Sequence, residues 1–265
     1  MAFRLWQTGI HIQQEQIVII ALERVRNRWS LRRWWCIPLA SGIVRQGQIM
    51  EPQGLADALR DWRRELPIQH RVHIAFPAGR TLQKTLPRPA LRLRESEQAE
   101  WIAGSMAQSL DMDPDALCFD YCERDQDNLY SITAARNHDI AVLTGLTKTL
   151  RLQLAAITPD ACALQQFLPW LSAEERCLAW QDDERWLWAT QTGWGSGALS
   201  ETPCVARLAS SLGYQERELV QCTARSIPSP HFDPWCALSF QQPPLPASGD
   251  AFAIALGLAL GGKSA

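Results

Sequence analysis

Runs of apolar residues broken by short polar stretches dominate the first forty positions. Phe3–Ile12, Gln16–Glu23 and Trp29–Pro38 are rich in Ile, Val, Leu and Trp, which predicts three consecutive strands. A short extended segment, Ile43–Met50, follows and is centred on Gly47. Glu51-Pro52 then opens a helix, because proline suits the first helical position, and Leu55, Leu59, Trp62 and Leu66 form one apolar stripe along it. Arg60, Arg63 and Arg64 take the wet side beside Asp57 and Asp61. Pro67 ends the helix, and Arg71–Phe76 reads as the next strand.

The pattern continues with a strand at Thr81–Leu86 and a helix at Glu95–Leu110 that carries Ala99, Ile102, Met106 and Leu110 on one face. Strands are expected at Leu117–Tyr121, Leu129–Ala135 and Leu152–Ile157, and helices at His138–Leu150 and Pro159–Leu168. Cys177–Trp180 and Trp186–Thr190 form a hairpin around Gln181-Asp182-Asp183-Glu184. A helix at Pro203–Leu212, a strand at Leu219–Thr223, a proline-rich loop over Ser226–Ser248 and a short apolar helix at Asp250–Leu260 complete the chain. Periodicity supports a mixed α/β class with an internal duplication. Its repeated βββαβα plan is also the outline of an actin-like ATPase fold.

Composition narrows the class. The 265 residues are 46% hydrophobic and 20% charged, enough for one large or two small cored domains and too apolar for a disordered chain. Too few apolar residues follow Arg4 for a signal peptide, and the best apolar run, Ala251–Leu260, is about half the ~20 residues that cross a bilayer. The expectation is a soluble cytosolic protein. The eight cysteines include no CxxC pair and are expected to be mostly small buried hydrophobes, not a zinc site. Charge is polarised: residues 1–94 hold fifteen Arg and one Lys against six acids, a net +10, and the remainder carries −12. Two readings are open, with the first ahead: attraction between the two parts within one fold, or an acidic partner, anionic membrane or nucleic acid facing the first third.

Catalytic signatures are missing. No G-x-x-x-x-G-K-[ST] run is present, and Ser196 lies in a Gly-Trp-Gly-Ser-Gly stretch where Trp194 occupies a glycine position of a nucleophile elbow. The five histidines show no paired metal spacing, and His70 and His73 read as solvated or capping residues. No catalytic residue and no metal site are assigned. Of the twelve tryptophans, Trp34, Trp35, Trp186 and Trp188 fall on strands, where they serve either core packing or a groove for an apolar peptide.

Several segments, in order, resemble PilM-type pilus assembly proteins. They are Pro38–Leu59, Ile74-Ala-Phe-Pro-Ala-Gly-Arg80, Leu86-Pro87, Phe119-Asp-Tyr121, Thr133-Ala-Ala-Arg136, Ile157-Thr-Pro-Asp-Ala-Cys-Ala-Leu164 and Phe252–Leu260. The resemblance covers nearly the whole chain and implies an actin-like (FtsA/PilM-like) fold. It implies a first part at 1–76, an inserted α+β subdomain at 77–121, a remainder and crossover at 122–170, and a reduced second half at 171–265.

The phosphate loops depart from the family pattern. Where an Asp-Ile-Gly-Ser-type loop is expected the chain has His11-Ile12-Gln13-Gln14-Glu15, and where a second Asp-x-Gly is expected it has Trp180-Gln181-Asp182. The adenosine strand is at best Thr223-Ala-Arg-Ser226. The degenerate nucleotide set is therefore Gly9, His11, Gln13, Gln14, Trp180 and Asp182, with no cofactor expected and ATP with magnesium not favoured.

By the same resemblance the chain is a scaffold at the cytoplasmic face of the inner membrane. It would bind the cytoplasmic N-terminal peptide of a bitopic, PilN-like protein in a type IV pilus-like or DNA-uptake system. Ile74, Phe76, Leu86, Trp101 and Phe119 would line the peptide groove, with Arg80 and Arg88 nearby for polar or acidic groups and Trp101 off its helix's apolar stripe; the alternative is that these residues only fill the junction between two subdomains. The alternatives are a functional actin-like ATPase with atypical loops, or a direct nucleic-acid-binding protein.

Overall fold

The computed structural model describes residues 5–89, 93–110, 113–124, 128–223, 232–241, 244–246 and 249–261. In chain order the elements are β1 (Trp6–Ile12), β2 (Gln16–Val25), β3 (Arg28–Pro38), β4 (Val44–Arg45), β5 (Gln48–Ile49), α1 (Pro52–Glu65), β6 (His70–Phe76), β7 (Leu82–Pro87), α2 (Glu95–Leu110), β8 (Leu117–Arg124), β9 (Leu129–Arg136) and α3 (Asn137–Thr149). Then come β10 (Leu154–Pro159), α4 (Asp160–Ala163), β11 (Cys177–Gln181), β12 (Arg185–Thr190), β13 (Trp194–Ala198), α5 (Val205–Ser211), β14 (Leu219–Thr223) and α6 (Ala253–Leu260). The chain divides into two compact units, Met1–Gly79 with Leu146–Ala265, and Arg80–Gly145.

The larger unit holds two main sheets. In the first, of order β10-β6-β1-β2-β3, β1 to β3 form an antiparallel meander and β1, β6 and β10 run parallel, as the α1 crossover requires. The second has order β13-β12-β11-β14. Trp34 and Trp35 point to opposite faces of β3, as alternation demands. Trp34 meets Phe252 edge-on and donates to the Pro244 carbonyl, whereas Trp35 meets Trp62 of α1.

Strand β13 is absent from the periodicity because glycine alternates through it. The structure explains those glycines: a Cβ on Gly195 would lie 2.6 Å from the Trp188 ring, so Gly195 and Gly197 form a slot for that indole. The Gly-Trp-Gly-Ser-Gly stretch is thus a packing strand. Helix α6 has Ala253 to Ala259 buried and packs on β1, β2 and β6. Two glycines permit this. A Cβ on Gly9 would fall 1.9 Å from the Ala255 carbonyl oxygen, and one on Gly257 would fall 2.3 Å from that of Ala163.

In the smaller unit, β7, β9 and β8 form an antiparallel sheet with β9 in the centre. Its inner face packs against α2 through Ile102, Met106, Leu117, Tyr130, Ile132 and Ala134. The expected end of the insertion at Tyr121 is corrected by this pairing, since without β9 neither β7 nor β8 has a neighbour. The segment 122–145 therefore belongs with the insertion and not with the crossover. The expected internal reading of the charge polarity holds only in part. Arg80 and Arg88 pair with Asp139 and Glu123 of the acidic remainder, but Arg32, Arg33, Arg60 and Arg64 pair with Glu23, Glu65, Asp57 and Asp61 of the basic segment itself.

Candidate functional site

Two hairpins in the larger unit carry the residues that the family resemblance assigns to phosphate loops, one at the β1–β2 turn and one at the β11–β12 turn. In the first, the Gln13 N–H donates to the Gln16 carbonyl at 2.9 Å, and Gln16 Nε2 donates to Gln13 Oε1 at 2.9 Å. Gln13 Nε2 reaches His11 Nδ1 at 3.2 Å, and Gln14 Oε1 accepts from the Gln46 N–H. The turn thus spends its polar groups on itself and on its neighbours. Its three residues all carry side chains where close backbone approach to an anion needs glycine.

His11 is 1% exposed and sets its ring edge-on against Trp180, with centroids 5.3 Å apart. Burial, with a smaller contribution from the Arg185 charge, pushes its pKa down to about 3, so the ring is neutral at physiological pH. With Gln13 donating to Nδ1, the proton sits on Nε2, which has no hydrogen-bond partner among the described residues. Trp180 is wholly buried and donates from Nε1 to the Asp250 carbonyl.

The second hairpin turns on Asp182. Its Oδ1 accepts from the N–H groups of Glu184 and Arg185, at 2.9 and 2.8 Å, and its Oδ2 accepts from Arg185 Nε. This carboxylate therefore caps its own turn. Arg185 reaches on to Asp160 at the start of α4, where Nη2 lies 3.1 Å from Oδ2. Asp160 is 1% exposed, and its Oδ1 accepts from the N–H groups of Ala78 and Ala161, each at 2.8 Å. Burial pulls the Asp160 carboxyl upward, while Arg185 and the two amide donors pull against it. Burial likewise works against the Arg185 charge, but Asp160 and Asp182 outweigh it and hold the guanidinium protonated. Among the described residues no group of three or more His, Cys, Asp or Glu could hold a metal ion.

Of the degenerate loop set, the structure brings His11, Gln13 and Trp180 together. Gly9 lies beneath α6, Gln14 faces Gln46, and Asp182 sits on the opposite hairpin. Asp160 and Arg185 were not singled out from sequence. Asp160 has a local signal as an acid at the first residue of a helix after a strand, but nothing near Arg185 in sequence marks its partner. Residues beyond Thr223 in the Thr223–Ser226 segment lie outside the described residues.

The partner-binding set separates by unit. Ile74 and Phe76, on β6 of the larger unit, are 1% and 3% exposed, so they fill the interior and offer no surface. In the smaller unit Arg80 is held by Asp139 at 2.7 Å. Leu86, Trp101 and Phe119 are half-buried against the inner cluster. Trp101 lies 6.3 Å from Tyr130, Tyr121 meets Tyr130 edge-on, and Arg88 stacks over Tyr130 while pairing with Glu123. Tyr121 and Tyr130 complete this aromatic group. Alternation along β8 and β9 places them on the face of Phe119, the signal that could have found them.

The chain is 47% identical over 261 residues to HofM of Escherichia coli (strain K12), a protein described as a DNA utilization protein, covering 98% of this chain and 99% of that one. The chain belongs to the HofM family. No protein-family model matches it. Among solved structures, this HofM-family chain is similar to the PilM-PilN type IV pilus biogenesis complex at TM-score 0.71 and 15% identity, covering 96% of this chain and 98% of that chain. It is also similar to the cytoplasmic domain of EpsL, an inner-membrane component of the type II secretion system of Vibrio cholerae. There the TM-score is 0.59 at 14% identity, covering 97% of this chain and 95% of that one. Ethanolamine utilization protein EutJ from Carboxydothermus hydrogenoformans follows at 0.50 and 10% identity, covering 96% and 89%. These likenesses show the fold, which is actin-like and PilM-like.

Proposed function

We propose that this HofM-family chain is a PilM-like scaffold of a type IV pilus-like or DNA-uptake system that works without hydrolysing ATP. In this reading it sits at the cytoplasmic face of the inner membrane and holds the N-terminal peptide of a PilN-like inner-membrane protein. One observation carries the non-hydrolytic part. Between the two hairpins, His11 packs on Trp180 and Arg185 reaches buried Asp160, so the chain's own side chains take the acids and the space that a nucleotide with its metal would use. These residues do not suit ATP and magnesium. Asp160 is already neutralised by Arg185, and no glycine in the first turn opens its N–H groups to phosphate.

Support for the membrane partner comes from relatives. HofM is described as a DNA utilization protein, and PilM was solved in complex with PilN. No described helix is long and apolar enough to cross a membrane. For the peptide, the smaller unit offers half-buried Leu86, Trp101, Phe119 and Tyr121, together with the two outer strands of a three-stranded sheet. Such an edge suits an extended peptide that adds a strand and seats alternate side chains.

Calorimetric titration tests the first part. No heat is expected with ATP and magnesium at ~100 μM, a concentration at which about −5.5 kcal/mol of binding would register. Stoichiometric binding or phosphate release would refute it. Capture of an inner-membrane protein through its cytoplasmic N-terminal peptide tests the second. A partner retained after that peptide is deleted would refute peptide docking.

A further inference from the structure

The β2–β3 hairpin ends in a two-residue turn, Arg26-Asn27, with φ of +49° and +67°. Left-handed backbone at both central positions is the turn type that matches strand twist, and glycine or asparagine adopts it with least strain. An arginine is nevertheless placed at its first position. Arg24 pairs with Trp29 and Val25 with Arg28, so Arg24 and Arg28 leave the last two rungs on opposite faces of the hairpin and flank Arg26 at its tip. All three are exposed, and no carboxylate among the described residues pairs with any of them. The one acid nearby, Glu23, is buried and engaged by Arg32. The tip is braced, since Arg24 stacks over Trp29, whose ring packs against the core. Beside it, Phe240 is 53% exposed, and the 239–240 backbone bonds to Trp29 and Leu31 at the root of the hairpin.

We propose that this tip is a membrane-contact site for anionic phospholipid headgroups, with the three guanidinium groups on the phosphates and Phe240 at the headgroup–acyl boundary. Three cations at one hairpin tip are too few for the stripe of phosphate contacts that duplex binding uses, whereas a charged plane met end-on by the tip takes Arg26 at the turn and the long side chains of Arg24 and Arg28 from either face. An exposed phenyl ring beside them has no role in a purely ionic contact but suits the interfacial layer. Near an anionic surface each arginine contributes about fivefold, so three give on the order of a hundredfold. That is reversible attachment, suited to a chain that also holds a membrane-anchored peptide. This site goes beyond the peptide-docking reading and does not depend on it.

Vesicle co-sedimentation of the full chain tests it with no partner protein present. Vesicles of phosphatidylcholine with phosphatidylglycerol should retain the protein at ~0.1 M salt and release it at ~0.5 M, while pure phosphatidylcholine should not retain it. Arg26→Glu with Arg28→Glu should weaken retention by at least ~25-fold. Arg207→Glu with Arg217→Glu, the same charge change on exposed residues elsewhere, should leave most of it. Phe240→Ser should lower retention without changing its salt dependence. Equal binding to both lipids, an equal loss in the control pair, or unchanged binding of the tip variant would each overturn the proposal. So would tip-dependent binding to duplex DNA tighter than binding to the anionic vesicles.

Discussion

Gly9 lies in β1 between Ile20 of β2 and His73 of β6, with backbone that is not left-handed, so conformation alone does not require glycine there. What requires it is α6. Adding a single methyl in Gly9→Ala puts a carbon 1.9 Å from the Ala255 carbonyl oxygen. The closest comfortable C···O approach is about 3.3 Å, so strand and helix must part by about 1.4 Å. That oxygen is backbone and cannot swing aside. Helix α6 is buried from Ala253 to Ala259 and its far side rests on Ala163 and Phe167, which leaves it nowhere to go. Overpacking costs roughly 1–3 kcal/mol, and a gap near 1 Å also forfeits a quarter to a half of each contact's dispersion well. The expected loss is at least about 3 kcal/mol, or a fall of about 6–12 °C in Tm. Gly104→Ala, on exposed α2 with nothing within 4 Å, should shift the other way by up to about 1 kcal/mol. Urea and thermal denaturation followed by circular dichroism read both. A Gly9→Ala protein that melts with the wild type would refute the helix-packing role.

His11 supplies a pH test: its native pKa near 3 lies below the ordinary 6.5, so the unfolded chain binds a proton the native state does not between those values. Stability should be flat above about pH 6.5 and fall by up to about 1.4 kcal/mol per unit below it, with buried His70 and His73 adding to the same limb. His11→Phe should flatten that limb in urea titrations between pH 7 and 5, and a limb unchanged in slope would count against the buried neutral ring. Arg185→Met strands the Asp160 carboxylate and should cost about 3–5 kcal/mol, whereas the double variant with Asp160→Asn should cost clearly less than the sum; additive losses in a double-mutant cycle would dissolve the pair. For the peptide, Trp101→Ala should remove more than ~2 kcal/mol of affinity in calorimetry while the urea midpoint still shows a folded chain. A folded variant that binds as before takes Trp101 out of the docking surface.

Strands β1, β2, β3 and β6 and helix α1 were legible in the sequence because each is a one-dimensional pattern: apolar runs between polar breaks, a stripe of Leu and Trp, a proline at either end. The departures from the phosphate-loop pattern, His11 and the glutamines where the family resemblance expects acid and glycine, were likewise read from the sequence alone. Where glycine serves packing instead of a turn, the pattern fails. Gly195 and Gly197 weaken the strand signal of β13 because they make room for Trp188, a residue on the neighbouring strand. The insertion's true extent depended on β9 lying between β7 and β8, and pairing partners leave no mark in a strand's own periodicity. Ile74 and Phe76 carry the same apolar character whether they line a groove or fill a core, and only the neighbours on β1 and β10 decide for the core. The contacts of His11 with Trp180 and of Asp160 with Arg185 join residues that the chain separates and only the folded sheets bring together. Burial and pairing are properties of three-dimensional surroundings, so a neutral histidine and a self-neutralised carboxylate became visible only in the tertiary structure.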